Sequence, residues 1–278
     1  MKKGHTFRNM KKLLFAILLC CTCCSAWAAA DYTSIDKYAY EAPPLQTSTG
    51  LSRLVRYLIR PYKTDEEKAR VILAWIVHNI DYDEYKMNAI DDSLDRTKKK
   101  DKELYIDNSD ILATRTGVCS DIAQLYQKMG TYAGLDVAII KGKAGKNMTY
   151  AELKGGAEHV WNAVRINRQW EYVDPTWAIS GKDVKSFNDT STRKDYKKEI
   201  RQRSQKASDA KMPREGRVVD NKWFLTDKDE MIKTHFPYDE KWQLQKKKMT
   251  EKDFLGLDNK AYIAAQTEYE ISKRKNIR

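Results

Sequence analysis

The stretch RTGVCSDIAQLYQKM, residues 115–129, contains the one cysteine that lies beyond the first 24 residues of the chain. Ile122, Leu125, Tyr126, Met129, Tyr132 and Ala133 follow it at helical spacing and predict one buried face. Gly117 supplies the turn into this helix, and Ala133-Gly134 supplies a glycine at its C-terminal cap. Cys119 therefore opens a helix. A helix N-terminus favours a thiolate, and its unpaired N–H groups can hold a developing oxyanion. A lone cysteine is also commonly a small buried hydrophobe, and position alone does not separate the two readings.

The partner separates them. HVWNAVRI and QWEYVDPTW read as two strands joined at Asn167-Arg168, with His159, Trp161, Ala163 and Arg165 on one face. A two-residue loop sets Ile166 against Gln169 and Trp161 against Asp174. His159 is then the diagonal neighbour of Asp174 on the same face. A three-residue loop would move Asp174 to the other face, so the site depends on this register. With it, the residues form a nucleophile, a base and a group that orients the base. Of the other histidines, His78 lies on an apolar helix and reads as a core residue. His235, in THFPYDEKW, has no cysteine or acidic pattern around it and reads as structural. Neither shows metal-ligand spacing, so no metal and no cofactor are expected.

The first 30 residues read as a secretory signal peptide: a basic start, the apolar run LLFAILLCCTCC, and small residues up to Ala30. An uncleaved anchor is the alternative, although about a dozen apolar residues are too few to span a bilayer. Cleavage before Asp31 would remove five of the 51 Lys and Arg, none of the 39 Asp and Glu, and four of the five cysteines. That leaves a net charge of +7, Cys119 as the sole thiol and no internal disulfide. The expectation is an exported protein of bacterial type, periplasmic or extracellular, with no membrane span after cleavage. An anionic cell-envelope partner suits the charge, and no nucleic-acid reading motif is present.

Residues 31–63 form a lead-in and a helix over LSRLVRYLIR. Thr64 and Glu67 then make a capping box that opens a second, deeply packed helix. Residues 91–107 read as a solvated charged loop, and 179–221 as a charged surface excursion with one exposed helix near 193–206. The glycine-containing loop between 142 and 156 is either a lid over the site or a plain connection. Residues 222–278 form a C-terminal extension packing on the core.

The blocks TGVCSDIAQLYQKMGTYAGLDV, EHVWNAVRINRQWEYVDPTW and EEKARVILAWIVHNIDYD together resemble the transglutaminase-like superfamily, which shares the papain-like fold. WFLTDKDEMIKTHFPYDEKWQL is further similar to its kyphoscoliosis-peptidase-type branch. The resemblance implies an α+β core over 64–178, with the Cys helix packed on an antiparallel sheet. It implies Cys119 as nucleophile, His159 as general base and acid, and Asp174 as its orienter. Tyr82 is the candidate for oxyanion stabilisation; its alternative is simply to pack the end of its helix. Ser120-Asp121 departs from the smaller pair usual after the cysteine and would narrow the site. No EF-hand-like loop is present, so the calcium of animal transglutaminases is not carried over.

The expected reaction is attack of the thiolate on an amide carbonyl of a protein or peptide, giving a thioester. Water as acceptor makes a peptidase or amidase; a lysine amine makes a transamidase. The rival is a non-catalytic envelope-binding protein that retains the fold.

Overall fold

The computed structural model describes residues 30–43, 45, 48–83, 86, 108–155, 158–181 and 215–275. Residues 1–29 of the stretch read as a signal peptide, the charged loop 91–107 and the interior of the excursion, including 193–206, lie outside these residues. Contacts divide the chain into Met1–Ser34 and Ile35–Arg278. In the first unit, Asp31 accepts a hydrogen bond from the Thr33 N–H at 3.0 Å. The second unit holds the core.

In chain order the helices begin with α1 (Thr33–Glu41), α2 (Leu51–Ile59) and α3 (Asp65–Asn79). The expected capping box opens α3: Thr64 Oγ1 accepts from the Glu67 N–H at 3.2 Å, and Glu67 Oε2 accepts from the Thr64 N–H at 3.0 Å. From Ala69 to Asn79 every residue of α3 is buried, so the helix is enclosed on all sides. Each buried Leu or Ile there contributes about 1.5–3 kcal/mol. His78 sits against Tyr40, with ring centroids 5.3 Å apart. Burial, reinforced by Arg217 and Arg70 and opposed by Asp36, holds its imidazole down at about 4, as befits a neutral core residue.

A short strand β1 (Asp81–Tyr82) pairs in parallel with β2 (Thr116–Gly117) across α4 (Asn108–Thr114). The Cys helix α5 (Cys119–Tyr132) follows. Ile122, Leu125, Tyr126 and Met129 are buried as their spacing predicts, but Tyr132 is 45% exposed. The helix ends as expected, with Gly134 at φ +79° and the Leu135 N–H donating to the Gly130 carbonyl at 2.9 Å.

The sheet contains β3 (Val137–Ala144), β4 (His159–Ile166), β5 (Gln169–Val173), β8 (Phe224–Thr226) and β9 (His235–Pro237), in the order β8-β5-β4-β3-β9, antiparallel throughout. Between β3 and β4 lies α6 (Tyr150–Lys154), a capped helical turn inside the loop expected to be irregular. The hairpin register is the expected one, from Ile166 opposite Gln169 to Asn162 opposite Val173. Asn167 and Arg168 both take positive φ, 50° and 68°, the turn whose twist matches its strands.

Both described ends of the 179–221 stretch belong to the framework. Strands β6 (Ile179–Gly181) and β7 (Arg217–Val219) pair, and Arg217 reaches the C-terminus of α3. Its guanidinium donates to the Val77 and Ile80 carbonyls at 3.0 and 2.8 Å and pairs with Asp81. A cation on the last carbonyls of a helix meets their partial negative charge. The helices α7 (Lys228–Met231), α8 (Glu251–Phe254) and α9 (Asn259–Lys275) complete the chain. The last two pack over α6: Tyr150 contacts the Tyr262 and Tyr269 rings, and Lys154 pairs with Glu251. Among the described residues, no helix is long and apolar enough to cross a membrane.

Gly142 is the tightest point of the sheet. A Cβ there would come within 2.2 Å of the Phe236 carbonyl oxygen, 2.8 Å of Pro237 Cα and 2.7 Å of the Trp161 ring. Gly142→Ala is expected to push β9 off β3, at a cost of about 1–3 kcal/mol. The melting temperature should then fall by roughly 3–10 °C, read by circular dichroism; an unchanged midpoint would refute this packing.

Candidate active site

Two side-chain tethers fix α5 on the sheet. Asn162 donates through one amide group to the Ala123 carbonyl in the helix and the Ala138 carbonyl in β3, each at 3.1 Å. Gln127 donates to the Val137 carbonyl at 2.9 Å. Val160 packs on Cys119 and Ala123, with Tyr82 and Ile139 beside them. Side chains alternate along a strand, so while Val160 and Asn162 face the helix, His159 and Trp161 turn to the opposite face. Cys119, in the first turn of α5, meets His159 around the end of β4, where its Sγ lies 4.0 Å from the Glu158 carbonyl oxygen.

His159 is held on three sides. Its Nε2 is 2.7 Å from Asp174 Oδ2, which leaves Nδ1 for the thiol. Its ring lies between Trp161, at 5.8 Å and near-parallel, and Trp177 at 5.5 Å. Burial disfavours the imidazolium, but the Asp174 carboxylate, with Cys119 adding to it, outweighs burial and raises His159 to about 10. Asp174 has no solvent exposure. Its Oδ1 accepts the N–H groups of Thr176 and Trp177 at 2.9 and 3.0 Å. Its Oδ2 accepts from His159 and also from His235 Nε2, at 3.0 Å. Burial alone would raise such a carboxyl; the two imidazoles reverse this and hold it well below the usual carboxylate range.

The structure thus brings Cys119, His159 and Asp174 together, with Tyr82 packed on the cluster that holds Cys119. Two readings change. Asp121 does not crowd the site: its carboxylate accepts the Val118 N–H at 3.0 Å and pairs with the buried Lys86, so it caps its own helix. His235, read as structural with no acidic partner, shares Asp174 with His159. It stands 61 residues from Asp174 in the chain, and no local spacing could announce it.

His159, Asp174 and His235 also form the one donor set among the described residues that could hold a metal ion, their ligating atoms all within 4.8 Å. The nitrogens stand 2.7 and 3.0 Å from one oxygen. Ligand atoms around a tetrahedral zinc lie about 3.3 Å apart. The backbone bonds on Oδ1 also prevent the carboxylate from swinging aside. The three groups are spaced as hydrogen-bond partners, closer together than zinc ligands.

An imidazole raised in this way is stabilised as its cation in the folded chain. That contribution is complete below the unfolded value of about 6.5 and is lost as pH rises through about 10. The His159 ring is expected to remain protonated at pH 8 in a 15N-histidine NMR spectrum. A neutral ring at pH 8 would contradict the ion pair.

Residues 52–175 match the family model of the transglutaminase-like superfamily. Over 218 residues the chain is 26% identical to the kyphoscoliosis peptidase of Mus musculus and 27% identical to that of Homo sapiens. Both alignments cover 78% of this chain and 27% of the relative. Identity to Hillarin of Drosophila melanogaster is 26% over 245 residues, covering 82% of this chain and 24% of that protein. The chain therefore spans about a quarter of the length of these relatives. A solved structure described as a TGase aligns with a TM-score of 0.35 at 13% identity, covering 66% of this chain and 41% of that one. The helix bearing Cys119 and the strands up to Asp174 fall inside the matched span, and the chain carries a domain of the transglutaminase-like superfamily.

Proposed function

We propose that this domain is an exported cysteine enzyme acting on amide bonds of proteins or peptides, with Cys119 as nucleophile, His159 as acid and base, and Asp174 as its orienter. The observation that carries the reading is the His159–Asp174 pair, buried and 2.7 Å apart, set beside a thiol in the first turn of a 14-residue helix. The Cys119 sulfur attacks the carbonyl carbon, and the carbonyl π electrons move to oxygen. The Cys119 and Ser120 N–H groups come before the first backbone bonds of α5, which run from Asp121 and Ile122 to the Val118 carbonyl, and they are suited to hold that oxyanion, with Tyr82 as a further donor. When the tetrahedral adduct collapses, the C–N bond breaks and the His159 proton passes to the departing amine. This leaves a thioester and a neutral imidazole, which then takes a proton from water or from an incoming amine as either attacks. The two acceptors define peptidase or amidase and transamidase. The name kyphoscoliosis peptidase among the similar proteins supports this chemistry as a class.

The test is to incubate the full chain with a peptide mixture and a fluorescent primary amine, and to read products by mass spectrometry. Hydrolysed or amine-labelled peptides are expected, and Cys119→Ser should lower their yield by about 10³-fold or more. Equal yields from the two proteins would reject the enzyme and favour the envelope-binding alternative.

A further inference from the structure

We propose that His235 is a positioning residue of this site: its Nε2–H, aimed at the Asp174 oxygen that His159 also uses, fixes the carboxylate and shares its charge. The inference rests on the reading of Cys119, His159 and Asp174 as the reacting set.

The geometry is that of a saturated acceptor. A carboxylate offers about four lone-pair sites, and here four N–H groups occupy them: Thr176 and Trp177 on Oδ1, His159 and His235 on Oδ2. With one donor removed, the carboxylate could turn about its Cβ–Cγ bond, and its charge would fall more heavily on His159. A fixed carboxylate keeps the imidazole in one plane as it gains and loses its proton. Shared charge keeps that proton from being held too tightly to be given to the departing amine.

The surroundings specify which His235 nitrogen carries the hydrogen. Nδ1 lies 2.8 Å from Thr234 Oγ1, which is also 3.3 Å from the Met231 carbonyl. Because Nε2 faces an anion it bears the hydrogen, and Nδ1 accepts from the Thr234 hydroxyl. The ring is caged by Trp161, Trp177 and Trp223 at 5.0, 4.5 and 5.4 Å. The ionisable groups facing it are Asp174 and His159, which reports Cys119 in turn, and Lys222, whose Nζ lies over the Trp223 ring. Lys143 on β3 instead donates to the Gly155 carbonyl at 2.6 Å. Burial outweighs the pull of Asp174, and the His159 and Lys222 charges add to it, which holds His235 below the ordinary histidine range. A strand position supports all this, since His235 opposes Ala144 in the β3–β9 ladder.

The test follows His159 by 15N-histidine NMR across pH in the full chain. His235→Leu is expected to move the proton loss of His159 upward by about one pH unit, a tenfold change in its proton affinity. His235→Gln, which keeps an N–H donor, should restore most of the wild-type value. Thr234→Val leaves the histidine caged without its hydroxyl partner and should move His159 in the same direction by a smaller amount. An unchanged His159 titration in folded His235→Leu overturns the proposal. Should that variant fail to fold, an unchanged titration in Thr234→Val overturns it instead. Failure of the functional reading shows elsewhere, in a Cys119→Ser variant as productive as the wild type, because the NMR readout needs no turnover.

Discussion

A carboxylate with no solvent exposure must find its hydrogen-bond donors within the protein, or its burial costs several kcal/mol. Asp174 finds four, from three separate parts of the chain: the turn that follows it, β4, and β9. Much of the framework follows from meeting that requirement. The turn after β5 folds back so that Thr176 and Trp177 present their N–H groups, which places the Trp177 ring against both histidines. β9 must lie close enough to β3 for His235 to reach across, and Gly142 makes that approach sterically feasible. Aromatic rings then shield the charged pair from solvent, and its attraction is stronger in those low-dielectric surroundings than in water.

The second constraint is placement of the helix that presents the thiol. A helix packed only by apolar side chains can slide along its ridges, whereas hydrogen bonds from a strand side chain to its backbone select one position. Asn162 supplies such a bond, and Gln127 supplies its reverse, from the helix side chain to the backbone of β3. At the N-terminus, Asp121 and Lys86 form a buried ion pair that ties the segment after β1 to the first turn. Asp83 adds to the tie, accepting the Thr116 hydroxyl at 3.2 Å while its N–H donates to the Gly117 carbonyl at 3.0 Å. The Cys119 thiol and the first N–H groups of α5 are thereby set by one local framework, and His159 by the sheet.

What was legible in the sequence was local or periodic. The Thr64–Glu67 box, the apolar face after Cys119 and the cap at Gly134 each belong to a single helix. The register that aligns His159 with Asp174 was legible because its two strands are joined by two residues, although Asn-Arg is an uncommon pair for positive φ. What escaped was long-range. His235, Arg217 and the Lys86–Asp121 pair act on partners between 35 and 140 residues away in the chain, and their neighbours in sequence are ordinary. Asn162 did leave a signal, an amide within the apolar run HVWNAV, where a buried polar group has to have a partner. The strand of Gly142 ran on to Ala144 because β9 supplies a second paired edge, which local propensity does not encode.

The most direct test of the central claim, that His159 and Cys119 act as a pair, needs no substrate. The rate of Cys119 alkylation by iodoacetamide at pH 6 should be compared in the wild type and in His159→Ala. Alkylation requires thiolate, which an ordinary thiol with a pKa of about 8.5 scarcely forms at that pH. An imidazolium beside the sulfur predicts a wild-type rate about tenfold or more above that of the variant. Equal rates would contradict the pair and, with it, the catalytic account built on it.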